Sequence, residues 1–205
     1  MCSVIARSLN LPVPNYAVID VPKNFPGVVA DTEVSALLAN NLGENFGTIY
    51  YPGYAVWAPS DTKSPDVLED LEQLVGFDTV VLNHDRSMSK PNLLVRGESF
   101  LLIDHSLALP VVIPQSPFGP TSLMDEGDVR KHCSATAVQR KGRQFNEPTH
   151  AWTQALTASD LTRMRQMVPA SWETRAGDLD KIFDFLDKRP LVFPQIVADL
   201  RRIFQ

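Results

Sequence analysis

Two aspartates and one asparagine stand out because their side chains offer the oxygens that phosphoryl transfer uses. Asp85 and Asn92 lie in the polar stretch 83–92, and Asp104 follows the apolar run Phe100–Ile103. In such a site one carboxylate positions an attacking hydroxyl, while an amide and a second carboxylate hold Mg²⁺ against nucleotide phosphates. The alternative is that Asp85 and Asn92 cap turns and Asp104 ends a strand, which is the commoner role of such residues taken singly.

The elements predicted on either side of these residues would bring them together. A capping Ser64, then Pro65 and an acid, predicts the start of a long apolar helix that runs to Asn83. Two apolar runs, 92–95 and 100–103, predict a hairpin around the turn 96–99. Asp85 would then follow the helix, while Asn92 and Asp104 would stand at the two ends of the hairpin. We therefore expect the three side chains to converge on one cleft.

The remaining patterns predict an α+β fold that is mainly helical, with a few short strands. We assign residues 1–60 to an N-terminal unit and 61–205 to a helical lobe, both within one compact body. The expected elements are a helix over Met1–Leu9, a strand over Tyr16–Val21, a helix from Asp31 or Thr32 to near Gly43 with Val34, Leu37, Leu38 and Leu42 on one face, two extended pieces within Phe46–Trp57, a loop over Pro110–Pro120, and three helices beginning near Ser159, Leu179 and Pro194.

Composition excludes several classes of protein. The 205 residues are 44% hydrophobic and 21% charged, which is typical of a folded soluble chain. A net charge of −5 disfavours a nucleic-acid partner. We expect no membrane association and a cytoplasmic location, since no apolar run approaches the length that spans a bilayer. Two cysteines and four scattered histidines predict neither a disulfide framework nor a zinc site.

The central segment resembles the catalytic core of the HipA-like kinases, relatives of the protein-kinase fold. The resemblance rests on Asp85-Arg86 with Pro91-Asn92-Leu93-Leu94, followed by Leu102-Ile103-Asp104-His105. Weaker similarity covers 9–14 and 168–172. The resemblance implies a kinase lobe that uses ATP and Mg²⁺, with Asp85 as the catalytic aspartate, Arg86 bracing its loop, Asp104 as a metal ligand and Asn92 as a metal or phosphate ligand. It also implies a protein Ser/Thr hydroxyl as substrate and a bacterial toxin–antitoxin or defence setting.

The sequence departs from that family in two ways. Lys90 occupies the position of a metal-binding asparagine, and an ammonium can contact phosphate or neutralise Asp104 but cannot coordinate a cation. The glycine-rich loop and strand lysine of such kinases would precede residue 9. We therefore expect that the ATP-covering lobe is in another polypeptide, that it was lost, or that the choice of start removed it. We then expect poor ATP binding, an exposed apolar face of Val4, Ile5 and Leu9, and association with itself or a protein partner through the N-terminal region.

Two other functions remain open on the sequence. A small-molecule kinase of the aminoglycoside or choline type has similar spacing between its catalytic loop and its later metal aspartate. A pseudokinase, acting as a binding or regulatory module, would explain Lys90. The aromatic residues Tyr50, Tyr51, Tyr54 and Trp57 are interpreted as core rather than as a nucleotide-binding wall.

Overall fold

The computed structural model describes residues 1–58, 65–139, 149–173 and 176–204, and it is a mixed helical and stranded fold. Its helices are α1 Cys2–Ser8, α2 Thr32–Ala39, α3 Pro65–Val80, α4 Glu126–Lys131, α5 Ala135–Gln139, α6 Thr149–Ala155, α7 Ala158–Gln166, α8 Asp178–Lys188 and α9 Phe193–Phe204. Its strands are β1 Tyr16–Val21, β2 Gly43–Thr48, β3 Ala55–Val56, β4 Leu93–Arg96 and β5 Ser99–Leu102. The α+β prediction is confirmed.

Helix α3 is the central element of the core. Its buried side chains include Leu71, Leu74, Val75 and Phe77, all fully shielded from solvent. Helices α5 and α9 pack against it, and one apolar cluster runs from α1 through α3 to α9. Ser64, the predicted cap of α3, lies outside the described residues. The helix ends at Val80 rather than at Asn83, because Leu82 adopts a left-handed conformation with φ of 52°.

A three-stranded antiparallel sheet, in the order β3-β4-β5, carries the predicted hairpin. Leu93 pairs with Leu102, and Gly97 supplies the positive φ of 61° that the tight turn requires. The amide of Ile103 donates to the carbonyl of Asn92 at 3.0 Å, which extends the ladder one step beyond β4 and β5. Asn92 and Asp104 therefore stand side by side where the ladder ends.

The N-terminal sheet is a separate antiparallel pair, β1 with β2, and α2 lies in the connection between them. Asp31 caps α2 as predicted, through bonds from the amides of Glu33 and Val34. None of the residues of α2 is buried, and Leu37 on its apolar face is 64% exposed. The short helix and two-stranded sheet provide too little surface to cover that face.

Helix α1 corrects a second expectation. Ile5 and Leu9 are buried in the main core, and Val4 packs against it, so this face is not exposed. The aromatic residues before α3 were predicted to lie in the core. Trp57 is buried as predicted, but the prediction is wrong for Tyr50, which is 84% exposed. Among the described residues, no helix combines the length and the apolar character needed to cross a membrane.

The C-terminal part is helical as predicted, with two differences. Helix α7 begins one residue earlier than Ser159, because the side chain of Thr157 caps it by accepting from the amide of Asp160. Helices α4, α5 and α6 were not predicted individually, since each is too short to show a clear apolar period. Helices α8 and α9 follow the predicted stripes, with Ile182, Phe183 and Leu186 buried on α8.

Candidate active site

The polar loop after α3 is anchored by a buried ionic network. The carboxylate of Asp78, on the last turn of α3, accepts from Arg86 Nε at 2.6 Å and lies 2.8 Å from His132 Nε2. Asn83 donates to its other oxygen at 2.8 Å. Burial alone would raise the pKa of Asp78, but the Arg86 charge and these hydrogen bonds outweigh it and lower the pKa to about 2. The network fixes where the loop leaves the helix.

Arg86 also ties this loop to the hairpin. Its Nη1 donates to the carbonyls of Asn92 at 2.6 Å, Pro91 at 3.2 Å and Ile103 at 3.5 Å. The whole side chain is buried, and two of these carbonyls flank the hairpin ends. The guanidinium therefore connects the loop to the hairpin.

Asp85, Lys90, Asn92 and Asp104 meet where the loop faces solvent. Lys90 Nζ lies 2.5 Å from Asp85 Oδ2 and 3.8 Å from Asp104 Oδ2, so one ammonium contacts both carboxylates. Asn92 Nδ2 donates to the same oxygen of Asp85 at 3.3 Å. The hydrogen bond to Asp85 raises the pKa of Lys90, with desolvation opposing it and the charges of Asp85 and Asp104 adding to it. The predicted convergence of Asp85, Asn92 and Asp104 is present in the structure, and Lys90 joins them.

Asp104 has a second set of partners on its other oxygen. Ser106 donates to Asp104 Oδ1 from its hydroxyl at 2.6 Å and from its amide at 3.1 Å. The hydroxyl bond is the main cause that lowers the pKa of Asp104, with burial opposing it and Lys90 adding to it. Asp104 is therefore a carboxylate at neutral pH, and its Oδ2 is the oxygen that faces Lys90.

The backbone is strained at several residues around this cluster. Asn92 and Asp104 have φ of 47° and 51°, and Leu82 and Leu109 adopt the same left-handed region. Asparagine and aspartate tolerate this conformation better than leucine, for which it is a clear outlier. Strained residues of this kind concentrate at functional sites. Their presence on both sides of the carboxylates favours a functional role over simple turn capping.

The donor set does not fit a resident divalent metal. Within the described chain, no group of three or more His, Cys, Asp or Glu side chains is arranged to hold a metal ion. Asn92 turns its amide nitrogen toward Asp85, and Lys90 brings a positive charge to the point where a cation would sit. Mg²⁺ needs several hard oxygen ligands with near-octahedral geometry, which this arrangement does not offer.

A cavity of about 470 Å³ opens beside Asp104. Its walls are mostly apolar and include Phe46 and Thr48 of β2, Leu102 of β5 and Trp172. Trp172 Nε1 donates to the carbonyl of Glu44 at 2.6 Å, which ties the segment after α7 to the start of β2. The size and the apolar lining with one acidic edge are typical of a small-molecule pocket.

Three polar residues near the site escaped the sequence analysis. Asp78 and His132 form the buried network, and His84 lies 2.9 Å from Asp128 with its ring against Phe118. Asp78 carried a signal, because it is an acid between Phe77 and the apolar run Val80–Leu82. His132 faces Asp78, and its neighbour Cys133 is buried with its pKa raised to about 12 by desolvation, so the two do not form a nucleophile and base pair.

Paired carboxylates at the end of a buried helix and the end of a hairpin form the arrangement expected of a kinase-type phosphotransferase. A family model described as HipA-like kinase matches residues 1–189, and the chain belongs to that family. No curated protein and no solved structure matches it. Membership implies that ATP is the phosphoryl donor and that a divalent metal typically accompanies it.

Proposed function

We propose that the chain transfers the γ-phosphoryl group of ATP to a Ser or Thr hydroxyl of a protein. Asp85 accepts the proton of the attacking hydroxyl, so that the oxygen is a better nucleophile as its bond to phosphorus forms and the bond to the ADP oxygen breaks. Arg86 holds the loop, Asn92 and Asp104 face the phosphates, and Lys90 offers them a positive charge. The setting we propose is a bacterial toxin–antitoxin or defence system.

The observation that supports the proposal most strongly is the meeting of Asp85 and Asp104 around one ammonium group. These carboxylates are 19 positions apart in the sequence, and a buried network together with a strained hairpin end holds them in one place. Turn capping alone does not call for two elements to converge, nor for the left-handed backbone at Leu82 and Leu109, where such strain costs about 1–3 kcal/mol at each residue. The adjoining cavity is suited to the base and sugar of a nucleotide.

The proposal also includes self-association through the N-terminal unit. Exposed apolar side chains lie on α2, on both strands of the first sheet and directly after β2, namely Val18, Ile19, Val34, Leu37, Phe46 and Ile49. An exposed set of this kind is typical of an interaction surface. A two-stranded sheet also gains stability when further strands or another surface cover it.

A pseudokinase is the second candidate, and Lys90 favours it. The ammonium engages the oxygen of Asp85 that would accept a substrate proton, and it stands where a family asparagine would bind metal. In that case the fold would bind a partner or a nucleotide without transferring phosphate.

Labelled phosphate transfer tests the proposal. The chain is incubated with γ-labelled ATP, Mg²⁺ and a protein extract of its own host, which supplies any missing component. The proposal expects label on Ser or Thr residues of a protein, detected by acid hydrolysis and separation of the phosphoamino acids. A labelled small molecule would favour the aminoglycoside or choline type, and no label in any fraction would favour the pseudokinase.

A further inference from the structure

The ammonium group of Lys90 supplies a positive charge between the two carboxylates of the site. Its Nζ lies between Asp85 Oδ2 and Asp104 Oδ2, at 2.5 Å and 3.8 Å. Its side chain is 51% exposed, so no packing forces it into this position. The carboxylates attract it, and its raised pKa agrees with that attraction. The ammonium is therefore held by charge within reach of both carboxylates.

A divalent metal and the ammonium exclude each other at this point. An ammonium has three donors and no lone pair, so it cannot share a ligand shell with a metal. Two positive groups a few ångströms apart also repel each other strongly near a protein surface. A metal bound between Asp85 and Asp104 would have to displace Lys90 and lose the hydrogen bond at Asp85.

We infer that Lys90 determines the cation preference of this site, because its ammonium occupies the divalent-metal position and keeps that position closed to Mg²⁺ and Mn²⁺. A neutral oxygen donor at residue 90 opens the position. The amide oxygen introduced by Lys90→Asn would then join Asp85, Asn92 and Asp104, which together provide a set of hard oxygen ligands. Lys90 lies in the site of the proposed function, but its effect on metal binding depends on side-chain geometry and charge alone.

Binding of Mn²⁺ alone tests this inference without nucleotide or activity. The full chain, Lys90→Asn and Lys90→Gln are titrated with Mn²⁺, and free metal is followed by electron paramagnetic resonance. We expect wild type to bind Mn²⁺ at least about 10-fold more weakly than Lys90→Asn, which corresponds to about 1.4 kcal/mol. Lys90→Gln serves as a second variant with the same chemistry, and circular dichroism checks that each variant is folded.

Two controls locate the effect. Lys188 is also 51% exposed and is paired with Asp184 at 2.6 Å, so Lys188→Asn removes a comparable charge elsewhere and should leave Mn²⁺ binding as in wild type. Adding Asp104→Asn to Lys90→Asn should abolish the gained binding. The inference is overturned if wild type binds Mn²⁺ as tightly as Lys90→Asn, or if the gain persists without the Asp104 carboxylate. Because the assay contains no ATP, its outcome is independent of whether the chain transfers phosphate.

Discussion

At the scale of single residues, charge explains most of the site. Asp85 and Asp104 are two carboxylates that one lysine brings into a common cluster, while Asp78 is a third carboxylate that is wholly buried and paired with Arg86. The ion pair of Asp78 with Arg86 is buried and holds the fold, whereas the carboxylates of Asp85 and Asp104 with Lys90 lie at the surface. The two pairs should therefore respond differently to substitution.

Asp78→Asn should destabilise the fold without touching the exposed carboxylates. It leaves the buried Arg86 charge without its partner, and breaking a buried pair in this way costs about 3–5 kcal/mol. Denaturant unfolding at pH 7 measures the loss. Asp187→Asn, at an exposed position on α8, is the control and should change little.

The pH dependence of stability should differ between wild type and Asp78→Asn. Burial opposes ionisation, yet Arg86 and the hydrogen bonds lower the pKa of Asp78 from 3.8 to about 2. The unfolded state therefore binds this proton more readily, so the contribution of Asp78 is complete above pH of about 4 and is lost as the pH falls towards 2. Unfolding curves at several pH values should converge for the two proteins in that window. A constant difference down to pH 2 would contradict this assignment.

At the scale of elements, the carboxyl end of α3 is the critical junction. Arg189 donates to the carbonyls of Thr79 at 2.9 Å and Val80 at 2.7 Å, and to the carbonyl of Pro120 at 2.9 Å. Its cation lies at the negative end of the helix dipole, and burial lowers its pKa to about 10, so it stays protonated at neutral pH. This arginine joins the last helices to the start of the polar loop 83–92.

Arg189→Met should destabilise the fold strongly, because it leaves several buried carbonyls without donors. Each such group costs about 1–3 kcal/mol, so we expect a total loss of about 3 kcal/mol or more. Arg202→Met is the matched control, since Arg202 forms an exposed ion pair with Glu126 at 2.6 Å that contributes little. Equal midpoints of thermal unfolding in the two variants would refute the role given to Arg189.

The sequence predicted contacts between residues that are close in the chain better than contacts between residues that are far apart. Strand β1 was predicted at its observed bounds, and the convergence of Asn92 and Asp104 followed from the hairpin, whose partners are close in the chain. The junction at Arg189 was not predictable, because it joins residues more than a hundred positions apart. The apolar stripe of α2 was predicted but its exposure was not, because an apolar stripe indicates a contact surface without saying whether this chain covers it.

At the scale of the whole molecule, one core extends from α1 to α9, while the unit formed by β1, β2 and α2 is largely exposed. We predict that this unit mediates concentration-dependent self-association. Leu37→Lys and Ile49→Lys should shift the chain towards monomer in light scattering, because a charge cannot be buried in an apolar contact without a partner. Leu191→Lys, at a position that is 76% exposed outside this unit, should have no effect.

A wild-type chain that stays monomeric at high concentration would contradict the prediction of self-association. A stable complex with a different protein would assign the surface to that protein instead.

The central claim is that Asp85 and Asp104 form a phosphoryl-transfer site, and the rate of γ-phosphoryl transfer from ATP to protein in host extract tests it most directly. Asp85→Asn should lower the rate at least about 100-fold, since general-base catalysis contributes about 10²–10⁴-fold, and Asp104→Asn should abolish transfer. Asp187→Asn should keep the wild-type rate. Wild-type transfer rates in Asp85→Asn, with the protein folded, would show that this carboxylate takes no part in the chemistry and would contradict the account.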